Sequence, residues 1–207
     1  MNAAPSDAGA GEGTGGESAR APGPTPVPTL NIANLLTLSR LVLVPLFICA
    51  LFAGDGTDTF WRAMATALFA IASFTDQVDG WVARKYGLIT DFGKIADPIA
   101  DKALIGAALI GLSMLGDLPW WITVVILARE IAVTLLRFAV IRRGVIPASR
   151  GGKLKTLVQA VAIGLFVLPL HAWPAPWLTS AWVFMWAAVV LTVLTGIDYA
   201  VSAFRRP

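Results

Sequence analysis

Long apolar runs separated by short polar segments are the feature that most constrains the fold of this chain. Several runs approach the roughly 20 residues that a helix needs to cross a bilayer, and none alternates at period two as barrel strands do. A membrane solvent agrees with the composition, because 57% of the 207 residues are hydrophobic and only 14% are charged. The sequence therefore predicts an all-α integral membrane protein with six transmembrane helices. The predicted spans are Leu35–Phe52, Phe60–Phe74, Ala100–Leu115, Trp120–Ile141, Leu154–Leu170 and Ala181–Ala203.

The first part of the chain differs sharply from the rest. Residues 1–29 are rich in Ala, Gly, Pro, Ser and Thr and show no apolar periodicity. Such a segment cannot bury enough apolar surface to offset its ordering entropy, so it is predicted to be a disordered tail. Residues 30–207 are predicted to form a single membrane domain.

Charges between the predicted spans indicate how the chain is oriented. Most of the cations fall on one side of the predicted membrane, whereas the loops on the other side hold at most Arg62. By the positive-inside rule, the basic side and both termini are predicted to be cytoplasmic, in a multi-pass protein of the cell membrane. The basic side holds Arg84, Lys85, Lys94, Arg142, Arg143, Arg150, Lys153, Lys155, Arg205 and Arg206.

The loops of the far side are predicted to be structural. Tryptophans cluster there as they do in interfacial aromatic belts. The acidic residues Asp55, Asp58 and Asp117 fall in the same loops, where turn formation explains them better than metal binding. The clustered tryptophans are Trp61, Trp120, Trp121, Trp173, Trp177 and Trp182.

Four aspartates beside the second and third spans indicate chemistry. Asp76 and Asp79 are three residues apart, and Asp97 and Asp101 are four apart, so each pair projects from one face of a helix. A turn at Gly87–Gly93 is predicted to fold the two helices together and to let the pairs converge. The four carboxylates are therefore expected to share one site.

Four carboxylates near a membrane repel one another and are costly to desolvate unless cations bridge them. Ligation by oxygen alone selects a hard ion, so Mg²⁺ or Mn²⁺ is expected, and four carboxylates suffice for two ions acting on a phosphate. Aspartates on facing membrane helices also fit a divalent-cation transporter. Their position toward one membrane surface favours an enzyme over a transport path across the midplane.

The aspartates belong to a longer pattern, D-x2-D-G-x2-A-R-x8-G-x3-D-x3-D, and through it the chain resembles the CDP-alcohol phosphatidyltransferases. The resemblance extends over Asn31–Arg40, Ala128–Glu130 and Gly151–Thr156, which look like members of the family that use glycerol 3-phosphate. The pattern is matched at Asp76, Asp79, Gly80, Ala83, Arg84, Gly93, Asp97 and Asp101.

The resemblance implies roles for the aspartates. Asp76, Asp79 and Asp97 are expected to bind two metal ions, with Asp101 near them. Asp101 is also expected to act as general base for the attacking hydroxyl. The implied fold is a six-helix bundle whose active-site cavity faces the cytoplasm, and similar enzymes are homodimers.

The resemblance also implies which residues bind CDP-diacylglycerol. Gly80, Arg84 and Thr90 match family positions that contact the CDP moiety. Asn34 and Thr37, on the first predicted helix, look like the opposite wall of that site.

A second, basic cluster is predicted to bind the phosphate of glycerol 3-phosphate. Arg129 and Arg137 lie inside the fourth span, where a cation is expensive, and Lys153 and Lys155 follow on the next helix. Similar basic residues in the family support this interpretation. Glu130 is expected to hold an arginine in place, and a purely structural ion pair fits it equally well.

The shared pattern leaves the acceptor alcohol open. Phosphatidylglycerol, inositol phosphate and serine are the alternatives, as in enzymes similar to cardiolipin synthase or phosphatidylinositol phosphate synthase. The basic cluster favours an acceptor that carries a phosphate. The expected partners are therefore CDP-diacylglycerol, glycerol 3-phosphate and the lipid bilayer, with no nucleic acid.

Overall fold

A computed structural model describes residues 32–86, 91–140, 150–169 and 174–204 of the protein. This part of the chain contains helices and no strand, which confirms the all-α prediction. A short 3-10 helix, Ala53–Gly56, connects the first two helices. The helices are α1 (Ile32–Phe52), α2 (Thr59–Tyr86), α3 (Asp91–Met114), α4 (Trp120–Val140), α5 (Arg150–Val167) and α6 (Ala175–Phe204). The predicted tail lies outside the described residues.

α2 and α3 extend furthest beyond the apolar runs that predicted them. α2 continues to Tyr86 rather than ending at Phe74, and α3 begins at Asp91 rather than at Ala100. Hydropathy marks only the part of a helix that faces apolar surroundings, whereas backbone hydrogen bonding continues through polar residues. The predicted turn over Gly87–Gly93 is wrong at its second end, because Gly93 lies inside α3.

Two of the helices meet the length and hydropathy of a membrane span within the part of the chain that the structure describes. The candidate spans are Leu38–Gly56, which covers most of α1 and the following 3-10 helix, and Pro176–Ser202 in α6. Shorter apolar segments occur at Lys102–Met114 and Leu154–Val167. The charged residues in α2, α3 and α4 interrupt their apolar windows. Length and composition therefore identify two candidate spans among the six predicted.

The distribution of polar and apolar side chains is inverted relative to a water-soluble bundle. Large apolar residues such as Phe74 (69% exposed) and Leu135 (63%) face outward, while Arg40 (0%) and Arg62 (3%) are buried. Soluble proteins rarely present such continuous apolar surface or bury arginine in this way. The exterior of the bundle is suited to a lipid solvent.

Helix α1 packs against both α2 and α3 in the core. The rings of Phe47 and Phe69 lie 5.8 Å apart between centroids and join α1 to α2. At Gly111 of α3, an added Cβ would lie 2.6 Å from Leu51 Cδ2 of α1, so glycine permits the close approach of these helices. These two contacts fix the axial register of the three helices.

The bundle has two chemically different ends. We call the end where α2 finishes and α3 begins the aspartate end. We call the opposite end the tryptophan end, because Trp61, Trp120 and Trp177 stand in the first turns of α2, α4 and α6 there. Successive helices run in opposite directions between the two ends.

Buried Arg62 organises the tryptophan end. Its Nη2 donates to Asp117 Oδ2 at 2.6 Å and to the Phe166 carbonyl at 3.2 Å, joining α2, the α3–α4 turn and α5. Asp58 caps α2 by accepting a hydrogen bond from the Trp61 N–H at 3.0 Å, and Asp55 has a positive φ of 56° in the preceding turn. The predicted turn roles of Asp55 and Asp58 are confirmed, and Asp117 has the added role of an ion-pair partner.

Candidate active site

The first aspartate pair continues the core-facing side of α2. Ala65, Phe69 and Ala72 are buried at helical spacing, and positions 76 and 79 follow in the same series. Positions 76 and 79 therefore continue the helical series of these buried residues, near the end of α2. Their placement in one helix agrees with the sequence prediction.

The second pair has the same relation to α3. Leu104 and Ala108 are buried at helical spacing, and positions 97 and 101 precede them in that series. Asp97 and Asp101 lie in the early turns of α3, while the other pair lies in the late turns of α2. Since α2 and α3 are antiparallel neighbours, all four acidic positions are at the aspartate end.

This arrangement fits a hard divalent cation. Four carboxylates at one end of two adjacent helices supply only oxygen donors, which Mg²⁺ and Mn²⁺ prefer. Among the side chains that the structure describes, no cluster of three His, Cys, Asp or Glu residues is suited to metal. The four aspartate side chains are not among those that the structure describes. The case for a metal site therefore rests on the positions of these residues in α2 and α3.

Four of the five predicted CDP-binding residues lie on α2 and on α1. Gly80 and Arg84 are in the last turns of α2, and Asn34 and Thr37 are in the first turns of α1. These segments meet at the aspartate end, because α1 and α2 are antiparallel. Thr90 lies outside the described residues.

Arg129 connects α4 to α6. Its Nε donates to the Thr192 carbonyl at 3.1 Å and its Nη2 to Thr195 Oγ1 at 2.8 Å. An added Cβ at Gly196 would approach Arg129 Cγ to 3.0 Å, so the glycine leaves room for the arginine stem. The side chain is anchored on α6.

Glu130 is the centre of a polar network between four helices. Its Oε1 accepts from Arg129 Nη1 at 3.2 Å and from Lys155 Nζ of α5. Thr134 Oγ1 donates to the Glu130 carbonyl at 2.7 Å and accepts from Lys102 Nζ of α3. The network thereby links α3, the helix that carries the second aspartate pair, to α4, α5 and α6.

The basic cluster is thus brought together in part. Arg129 and Lys155 share the Glu130 carboxylate, and Lys155 is buried. Arg137 is two turns further along α4, and Lys153 is in the first turn of α5. Both are nearer than Arg129 and Lys155 to the aspartate end of their helices.

Several members of this network are absent from the sequence prediction. Lys102 directly follows Asp101, and its position inside α3 is the signal that it needs a polar partner. Thr134 stands four residues after Glu130, at the spacing for a hydroxyl that hydrogen-bonds the preceding turn. The sequence contains no comparable signal for Thr192, Thr195 and Gly196, because nothing indicates that α6 lies beside Arg129.

Comparison with known proteins agrees with the pattern of aspartates. The sequence model of the CDP-alcohol phosphatidyltransferase family matches residues 30–194. A Mycobacterium tuberculosis protein named as a probable phosphatidylglycerophosphate synthase is 64% identical over 175 residues, which are 84% of this chain and 82% of the relative.

More distant relatives carry a consistent name. A Bacillus subtilis protein and a Rickettsia felis protein are each named CDP-diacylglycerol–glycerol-3-phosphate 3-phosphatidyltransferase. The first is 39% identical over 182 residues, covering 82% of this chain and 93% of the relative. The second is 37% identical over 171 residues, with the same two coverages. With the aspartates at one end of α2 and α3, these matches establish that the chain belongs to the CDP-alcohol phosphatidyltransferase family.

Proposed function

We propose that this protein transfers the phosphatidyl group of CDP-diacylglycerol to glycerol 3-phosphate, giving phosphatidylglycerophosphate and CMP. The proposal rests on the helix positions of both aspartate pairs, which continue the buried series of α2 and α3 at one end of these antiparallel helices. The names of relatives at 64% and 39% identity support the choice of donor and acceptor.

The proposed setting is the cell membrane, with six transmembrane helices and with both termini and the site on the cytoplasmic side. The excess of cations at the aspartate end and the tryptophans at the other support this orientation. CDP-diacylglycerol then presents its headgroup to the cavity while its acyl chains remain in lipid. A homodimer, as in similar enzymes, belongs to the same proposal.

Asp76, Asp79, Asp97 and Asp101 would hold Mg²⁺ or Mn²⁺, and four carboxylates suffice for two ions. Metal held by these carboxylates would supply positive charge to offset the diphosphate and the leaving CMP. Gly80 leaves space for the nucleotide at the helix surface.

The remaining headgroup contacts follow from the same positions. Arg84 offers a bidentate donor to the diphosphate. Asn34 and Thr37, in the first turns of α1, form the opposite wall, and Thr90 completes the CDP contacts.

Asp101 is proposed as the general base. Its carboxylate accepts the proton of the primary hydroxyl of glycerol 3-phosphate. The resulting oxygen attacks the phosphorus that bears diacylglycerol, and the bond from that phosphorus to the CMP oxygen breaks. Positioning and charge compensation provide most of the catalysis in transfers of this kind.

The acceptor phosphate is assigned to the basic cluster. Arg129 and Lys155 each already contact Glu130, so they contribute positive potential and fix α4, α5 and α6. Arg137 and Lys153 stand nearer the aspartate end and are assigned the direct contacts with phosphate. Replacement of Arg137 or Lys153 is therefore predicted to raise the KM for glycerol 3-phosphate more than replacement of Arg129 or Lys155 does.

An acceptor panel tests the proposal. Purified protein in detergent is supplied with radiolabelled CDP-diacylglycerol, Mg²⁺ and one acceptor at a time, and CMP release and the lipid product are measured. Turnover with glycerol 3-phosphate is expected. Turnover with serine, inositol phosphate or phosphatidylglycerol in its place would change the acceptor, and metal uptake by proteoliposomes without CMP release would favour a transporter.

A further inference from the structure

A single arginine lies inside the apolar span of α1. Arg40 is the only cation in Leu38–Gly56, and its exposure is 0%. A cation taken out of water in this way is costly unless negative charge compensates it. The position of Arg40 therefore requires an anionic environment within the bundle.

Arg40 belongs to the core-facing side of α1. Val44, Phe47 and Leu51 follow it at helical spacing, and all three are buried. Since α1 packs against α2 and α3, this side faces the two helices that carry the aspartates.

The contact between Phe47 and Phe69 gives the depth of Arg40 relative to α2. Arg40 is seven residues before Phe47, and Asp76 is seven residues after Phe69. Because the two helices are antiparallel, both intervals lead toward the aspartate end over about 10.5 Å. Arg40 and Asp76 are consequently at the same depth.

The contact between Leu51 and Gly111 gives the depth relative to α3. Arg40 is eleven residues before Leu51, and Ala100 is eleven residues before Gly111. These helices run in the same direction, so Arg40 is level with Ala100. That level falls between Asp97 and Asp101.

We propose that Arg40 is a positioning residue of the active site. Its guanidinium is a fixed positive charge behind the four aspartates, which limits their mutual repulsion and aligns them before metal arrives. The inference rests on the metal site proposed above. A residue that contacts substrate is open to the cavity when substrate is absent, whereas Arg40 is fully enclosed, so its action is through the carboxylates.

The sign of the expected effect follows from electrostatics. Arg40→Met removes a positive charge close to the proposed site for divalent cations. Mn²⁺ is therefore expected to bind to the variant roughly tenfold more tightly than to the wild type. The metal-free protein loses compensation for its carboxylates. The melting temperature of Arg40→Met is therefore expected to fall further below that of the wild type in EDTA than in saturating Mn²⁺, because tighter metal binding gives more stabilisation.

Turnover by Arg40→Met is expected to fall, although its Mn²⁺ affinity rises. Loss of carboxylate alignment lowers kcat by about a hundredfold, while the KM for CDP-diacylglycerol stays within about threefold. Arg40→Lys retains the charge, so its Mn²⁺ affinity stays near that of the wild type and it recovers part of kcat.

The experiment measures Mn²⁺ binding by electron paramagnetic resonance, and melting temperature with EDTA or Mn²⁺, on full-length protein in detergent. Arg62→Met is the matched control, because it removes the buried arginine of the tryptophan end. It should lower the melting temperature equally in both conditions and leave Mn²⁺ affinity unchanged. Arg40→Gln provides the same measurement if Arg40→Met does not fold.

Three outcomes would overturn the inference. Equal or weaker Mn²⁺ affinity in the neutral variants would remove the role of Arg40 while leaving the metal site intact. A KM effect on CDP-diacylglycerol without any change in Mn²⁺ binding would make Arg40 a substrate ligand. Absence of Mn²⁺ binding in the wild type, and in Asp97→Asn alike, would refute the proposed metal site and the role of Arg40 together.

Discussion

The two ends of the bundle bury arginine in different ways. At the tryptophan end, Arg62 has a carboxylate partner in Asp117 and a carbonyl partner in Phe166, and each contact joins a different part of the chain. At the aspartate end, Arg40 is level with Asp76 of α2 and with the interval between Asp97 and Asp101 of α3. Arg62 forms an ion pair that joins parts of the chain, whereas Arg40 is proposed to act on a group of acidic residues.

This difference separates stability from function. At the tryptophan end, the carboxylate partner of the arginine is supplied by the protein itself, so substitutions there should change unfolding without changing metal binding. At the aspartate end, the proposed site is complete only with bound cations, so substitutions there should change metal binding and turnover first. The Glu130 network lies between these cases, because it joins four helices and also belongs to the proposed acceptor site.

The largest expected effect is at the aspartate end. Asp101→Asn keeps the size of the side chain but removes the proposed proton acceptor, so kcat should fall by about 10²–10⁴-fold. The measurement is glycerol 3-phosphate-dependent CMP release. Asp58→Asn is the control, since asparagine is also a good helix cap, and it should stay within about twofold of the wild type. Retention of a tenth of the wild-type kcat in Asp101→Asn would remove its role as base.

Glu130 tests the middle of the bundle. Glu130→Ala leaves Arg129 and buried Lys155 without their shared carboxylate, which should destabilise the protein by about 3–5 kcal/mol. Unfolding in mixed detergent and dodecyl sulfate micelles measures the loss. Glu130→Gln retains an acceptor and should lose less. Equal stability of both variants and the wild type would show that the network contributes little to the fold.

The sequence contained enough information for the helices and the acidic constellation. The spacing of Asp76 with Asp79, and of Asp97 with Asp101, required only helical periodicity, and both pairs do lie in helices. The ends of the helices were harder to predict from the sequence. Tyr86 and Asp91 lie outside the apolar runs, so hydropathy has no signal at the points where α2 ends and α3 begins.

Long-range contacts account for most of what the sequence did not predict. The sequence predicts that Arg129 is an intramembrane cation, but its partners Thr192 and Thr195 are more than sixty residues away on α6. Which face of a helix receives a neighbour depends on packing of the whole bundle, and no local pattern encodes it. The same limit applies to Asp117, whose pairing with Arg62 spans 55 residues.

The ion pair of the tryptophan end should show an asymmetric response. Asp117→Asn leaves the buried Arg62 charge without a carboxylate and should cost about 2–3 kcal/mol of unfolding free energy. Arg62→Met should cost less, about 1–2 kcal/mol, because the Asp117 side chain is 37% exposed and can be hydrated. Mn²⁺ affinity should be unchanged in both. A change in that affinity would contradict the separation of the two ends.

The smallest expected effect is at the helix cap of the tryptophan end. Asp58 accepts the Trp61 N–H, which has no partner within the first turn of α2, so Asp58→Ala should cost about 1 kcal/mol of stability. Asp58→Asn should cost only a few tenths, since its amide oxygen accepts the same bond. Thermal unfolding compares the variants, and CMP release should be equal in all three proteins. A loss of kcat in Asp58→Ala at a temperature where it is fully folded would show that the tryptophan end influences chemistry at the aspartate end.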